Sequence, residues 1–164
     1  MDATQKSLPL GVLPTQSFST EQVEMLGALE RADLWFVEER LTRKQGFSAI
    51  RAQEAILEFK RYMTLVGLGY RGLGMISPEV DEVWHAFILF TRDYAAFCQA
   101  AFGEFIHHVP RTSRDESPPV GAERFLQAYR EVFGGLPEIW RERIGTGRTS
   151  DKPAGCGTED CKDS

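Results

Sequence analysis

Residues 77–102 read SPEVDEVWHAFILFTRDYAAFCQAAF, and this stretch decides the fold. Ser77 is a helix N-cap: its side-chain oxygen can accept one of the backbone N–H groups that a first turn leaves unpaired. Pro78 follows at the first helical position, where its missing N–H does no harm, and Glu79 and Asp81 place negative charge at the positive end of the helix dipole. Apolar residues then recur at three- and four-residue steps, and Gly103 supplies the stop. The pattern predicts one long helix from Ser77 to Phe102.

Similar signals lie on both sides. Ser19 or Thr20, followed by Glu21, opens a helix whose stripe Val23, Leu26, Leu29, Leu34, Val37 and Leu41 continues to Lys44-Gln45-Gly46. Ser48 caps a second helix through Ile50, Ala55, Ile56, Phe59 and Met63, ending at the glycines 67 and 69. A fourth runs from Glu123 to Phe133 with Phe125, Leu126, Tyr129, Val132 and Phe133 on one side, and 137–144 forms a short last turn carrying Trp140. No stretch alternates apolar and polar residues as a half-buried strand does. The expected fold is all-α, a single domain of four to five helices over 19–144, packed as a bundle or an irregular helical array. Residues 1–18 form an N-terminal arm, pinned by Leu8, Leu10, Val12 and Leu13. Residues 145–164 form a flexible, cysteine-bearing tail with little to bury.

Nineteen Lys and Arg against 24 Asp and Glu give a net charge of -5 with no basic stripe, so nucleic acid is not expected as a partner. No uncharged run spans a bilayer and the first residues do not resemble a secretory signal, which points to a cytoplasmic protein without membrane association. Three cysteines at uneven positions (Cys98, Cys156, Cys161) do not form a disulfide framework and are expected to be reduced.

All three histidines fall between 85 and 108. Asp81 and His85 are one helical turn apart, so the carboxylate can orient the imidazole or join it on a metal. On one straight helix the 13 steps from His85 to Cys98 separate the side chains by about 140° and roughly 20 Å, too far for one ion. Cys98 with His107 or His108 is the easier pairing, because the chain turns at Gly103, although a cysteine in an apolar stripe also serves as a small core residue. His107 and His108 are adjacent, and adjacent side chains in extended backbone face opposite ways, so both do not enter one site. Cys156 and Cys161 form a C-x4-C pair without the second pair that closes a zinc site; roughly 16 residues of tail, about 50 Å extended, could bring them back to the histidines or to a partner. The literal G-x-G-x-x-G of residues 67–72 follows a helix with no βαβ unit around it and reads as a loop, not a dinucleotide site.

The run MISPEVDEVWHAFILFTRDYAAFC with FGEFIHHVP resembles a family of small uncharacterised bacterial proteins related to the plant glycine-rich-domain proteins, over roughly residues 50–141. The residues that carry the resemblance are Val80, Asp81, Trp84, His85, Tyr94, Cys98, His107, His108 and Pro110; Cys156 and Cys161 would be a short version of the relatives' glycine- and cysteine-rich tails. The resemblance implies that Asp81, Trp84 and His85 act as a unit, and it brings no activity with it.

Three functions compete on this reading. The first is a non-catalytic helical module that binds zinc or another divalent metal, or a protein partner, through a groove of Asp81, Trp84, His85 and Tyr94. Its candidate metal ligands are Asp81, His85, Cys98, His107, His108, Cys156 and Cys161, not all in one site. The second is an enzyme with His85 as a general base oriented by Asp81. The third is a purely structural interaction protein in which VDEVWH locks the core.

Overall fold

A computed structural model describes residues 8–109 and 120–141. Six α-helices carry the described chain, with no strand among the described residues: α1 (Thr20–Arg31), α2 (Trp35–Lys44), α3 (Ala49–Gly67), α4 (Pro78–Ile88), α5 (Thr91–Phe102) and α6 (Val120–Phe133), with short 3-10 turns at Pro9–Gly11 and Glu138–Trp140. The expected four to five helices become six because two predicted helices are each broken once. The tail from residue 145 onward, the last turn beyond Arg141, and Pro110 fall outside the described residues.

The caps form as the sequence predicts. Ser19 accepts from the Gln22 amide while the Gln22 side chain accepts from the Ser19 amide, a reciprocal capping box. Ser48 accepts from Arg51 N and Ser77 from Val80 N. Gly103 ends α5 at φ 70°, a left-handed conformation that an L side chain disfavours.

The first break lies at residues 32–34. Asp33 Oδ1 accepts from Trp35 N and so starts α2, while the Lys60 ammonium donates to the carbonyls of Glu30 and Ala32 at 3.1 and 2.6 Å. These carbonyls belong to the end of α1, where no helical partner remains. A lysine 28 residues away in sequence therefore stabilises a turn that the stripe of apolar residues passes straight through.

The second break, at Leu89 and Phe90, has no glycine or proline to announce it. Phe90 leaves the helical region at ψ 67° and its ring packs on Phe36, with centroids 4.8 Å apart. Folding α5 back also brings Phe87 against both Tyr94 and Phe97, each at 5.1 Å. One long helix would leave these rings apart, so aromatic packing of the kind worth about 0.5–1.5 kcal/mol per pair beyond area burial opposes helix continuation.

Helix α3 is the hub, packed on α1, α2, α4 and α6. It buries Ala52, Ala55, Phe59, Met63 and Leu65, and Phe59 meets Trp84, Phe87 and Phe97. The N-terminal arm is part of the core: Leu10 and Val12 are buried, and Leu13 N donates to the Val132 carbonyl. Leu10 adopts a left-handed φ of 60°, held by Glu30 Oε1 on its amide and Arg61 Nε on its carbonyl.

Glu58 is a buried carboxylate on α3, 2% exposed. It accepts from Tyr129 Oη at 2.7 Å, Trp140 Nε1 at 2.6 Å and Arg61 at 2.8 Å. Burial next to this carboxylate pushes the Tyr129 hydroxyl well above the usual tyrosine range. The network ties α3, α6, the last 3-10 turn and, through Arg61, the arm.

Candidate metal centre

Asp81 and His85 stand one turn apart on α4, as the motif predicts, and the chain after α5 brings His108 to them. The His85 and His108 Nε2 atoms are 2.8 Å apart. Asp81 Oδ2 lies 3.7 Å from His85 Nε2, and Asp81 Oδ1 lies 3.7 Å from His108 Nε2. All three ligand atoms fall within 4.8 Å of one another, the only such group of metal-ligating side chains among the described residues. For donors bound tetrahedrally to zinc at about 2.0–2.1 Å, neighbouring ligand atoms are about 3.3–3.4 Å apart, so this cluster becomes a coordination set when the two imidazole nitrogens separate by about half an ångström and the Asp81 carboxylate closes in.

His108 is held in place by packing. Its imidazole lies against the Trp84 indole at 4.4 Å between centroids. Trp84 Nε1 donates to Tyr94 Oη at 2.9 Å, and Tyr94 Oη donates to the Ile106 carbonyl at 2.5 Å. Tyr94 thus reaches from α5 to pin the backbone two residues before His108. Burial pushes the His108 imidazole below its usual 6.5; Asp81 acts in the opposite sense, and His85 adds to the lowering. A histidine held neutral at pH 7 is ready to ligate.

The two edges of the His85 ring face different partners. Nε2 points into the cluster, whereas Nδ1 faces Glu82 Oε2 at 3.8 Å, and Glu82 Oε1 accepts from the Gln45 amide at 2.5 Å. Asp81 therefore sits on the same nitrogen as His108. The carboxylate on the outer edge, where an orienting group for a general base would stand, is Glu82.

The remaining candidates lie elsewhere. Cys98 is fully buried in the core beside Tyr94 and is not part of the cluster. Of the two readings of Cys98, core residue or partner of His107 or His108, the core position holds, and His108 joins His85 and Asp81 instead, because the break at Leu89–Phe90 folds the chain after α5 back over the first turns of α4. His107 is exposed, its ring on Phe105, and points away from His108 as adjacent extended residues do. Trp84 and Tyr94 are buried and hold the site from behind. Cys156 and Cys161 fall outside the described residues. Glu82 and Gln45 had a weak sequence signal at best: Glu82 is three residues before His85, while Gln45 is distant in the chain.

A cleft of about 550 Å³ borders the back of this assembly, with Tyr62, Tyr70, Trp84, Phe102, Ile106 and His107 in its wall. None of the three clustered ligands lines it. No helix of the described residues is long and apolar enough to cross a membrane.

No curated protein matches the chain, and no solved structure does. Residues 35–124, more than half of the chain, match the UCP032817-like family. The matched region runs from the start of α2 into α6 and contains Asp81, Trp84, His85, Tyr94 and His108, so the whole candidate centre lies within it. On this match the chain belongs to the UCP032817-like family.

Proposed function

We propose that this protein binds one divalent metal ion, zinc or a similar borderline cation, through Asp81, His85 and His108. The observation that carries the reading is the convergence of two imidazole Nε2 atoms and one carboxylate within 4.8 Å, from two segments 23 residues apart. Two nitrogens and one oxygen suit zinc, cobalt, nickel, manganese or ferrous ion, and they do not suit calcium or magnesium, which take oxygen. On this reading the VDEVWH motif works in two ways. Asp81 and His85 supply ligands, while Trp84, together with Tyr94, holds the segment that supplies the third.

The test is elemental analysis of purified protein after zinc loading and desalting, in wild type and in His85→Ala and His108→Ala variants. The reading expects about one zinc per wild-type chain and loss in both variants. Wild-type protein that retains no zinc would refute it, and retention in both variants would place the metal elsewhere.

A further inference from the structure

We propose that the ion held by Asp81, His85 and His108 keeps an open coordination position that takes a small anion of the carboxylate or azide class, with Glu82 positioning His85. The inference rests on the metal reading above and names what that site binds next.

Three features of the cluster support it. Closed structural zinc sites use four protein donors, whereas three protein donors leave a place for an exchangeable ligand, and the described residues supply three. Exposure is also one-sided. The His108 side chain is 9% exposed and backed by Trp84, while Asp81 is 32% and His85 41% exposed, so the open face of the ion lies between Asp81 and His85, toward solvent. Charge gives the ligand its class. A divalent ion with one carboxylate and two neutral imidazoles as ligands carries a net +1 at the ion, with the Glu82 carboxylate set behind His85 on the side away from the open face, and this favours an anion over a neutral donor.

Glu82 supplies the support that an open site needs. With His85 Nε2 on the metal, Nδ1–H is the outward donor of the ring, and Glu82 Oε2 is the group facing it. Glu82 is itself anchored by Gln45, at the C-terminal end of α2, so the orientation of His85 is tied to the junction of α2 and α3. A carboxylate behind a metal-bound histidine fixes the tautomer and raises ligand basicity.

The experiment uses the full chain loaded with cobalt(II), read by visible absorption during titration with sodium azide. The expected result is a saturable change in the ligand-field bands, reversed by excess acetate, with no intense thiolate charge-transfer band. A one-to-one cobalt complex whose spectrum ignores azide would be a closed site and would overturn the inference while leaving the metal reading intact. A thiolate band that disappears in a Cys156→Ser, Cys161→Ser variant would also overturn it, because the tail would then fill the open position. Failure of cobalt to bind at all would remove both readings.

Glu82→Gln separates positioning from folding. It should weaken cobalt affinity about 10- to 100-fold without lowering the melting temperature of the metal-free protein. Unchanged affinity would remove Glu82 from the site.

Discussion

His85 and His108, 23 residues apart in sequence, face each other through their Nε2 atoms at 2.8 Å. At that separation one nitrogen must donate and the other accept, so the two rings do not both carry a proton on Nε2 without strong repulsion. A divalent cation between them would replace that shared proton. On the metal reading, the pair would link metal occupancy to the placement of the segment that carries His108.

The first prediction concerns pH. The folded protein lowers the proton affinity of His108 chiefly by burial, so just below pH 6.5 the unfolded chain binds more protons at this residue than the folded one. Stability of the metal-free protein at this residue is thus full above the unfolded value and is lost as pH falls through 6.5 toward the lower folded value. Thermal melts in chelator between roughly pH 8 and 5.5 should show a steeper decline for wild type than for His108→Gln. Parallel declines would show that His108 is not desolvated as described.

Tyr94→Phe tests the strut behind the site. It leaves the Trp84 N–H and the Ile106 carbonyl without their shared partner, at a cost of about 1–3 kcal/mol by urea unfolding in chelator. Zinc affinity should fall as well, by about 10-fold, because the backbone before His108 is released. A variant equal to wild type in both measurements would show that Tyr94 does not position His108.

The Glu58 network supplies a control for stability without function. Glu58→Ala leaves three donors facing a vacancy and should destabilise by about 3–5 kcal/mol in chemical denaturation, while the folded fraction binds zinc as wild type does. A loss below about 1 kcal/mol would mean that the carboxylate does not hold the core together.

Lys60→Met tests the origin of the break between α1 and α2. The methionine keeps the aliphatic stem but uncovers the carbonyls of Glu30 and Ala32, with an expected loss of about 1–2 kcal/mol in urea unfolding. No change would show that Lys60 does not stabilise the break.

Local chemistry was the legible part of this sequence. The caps at Ser19, Ser48 and Ser77 and the stop at Gly103 are decided by residues within one turn, and all four stand where the pattern puts them. The pairing of Asp81 with His85 is equally local, set by the helical repeat. The two breaks were not legible, because Lys60 and Phe36 cause them from other helices. His108 was legible as a candidate and not as a partner of His85: its placement depends on the break at Phe90 and on Tyr94 reaching Ile106. Glu58 lies among apolar residues with no motif around it, and only the folded chain shows that Tyr129, Trp140 and Arg61 meet it.

Whether Asp81, His85 and His108 hold the metal is decided by X-ray absorption at the zinc edge of the one-to-one complex. Coordination by these three residues predicts a first shell of nitrogen and oxygen at about 2.0–2.1 Å with the outer-shell scattering of two imidazoles, and loss of one imidazole in His108→Ala. A sulfur shell at about 2.3 Å, or an unchanged imidazole count in that variant, would contradict it.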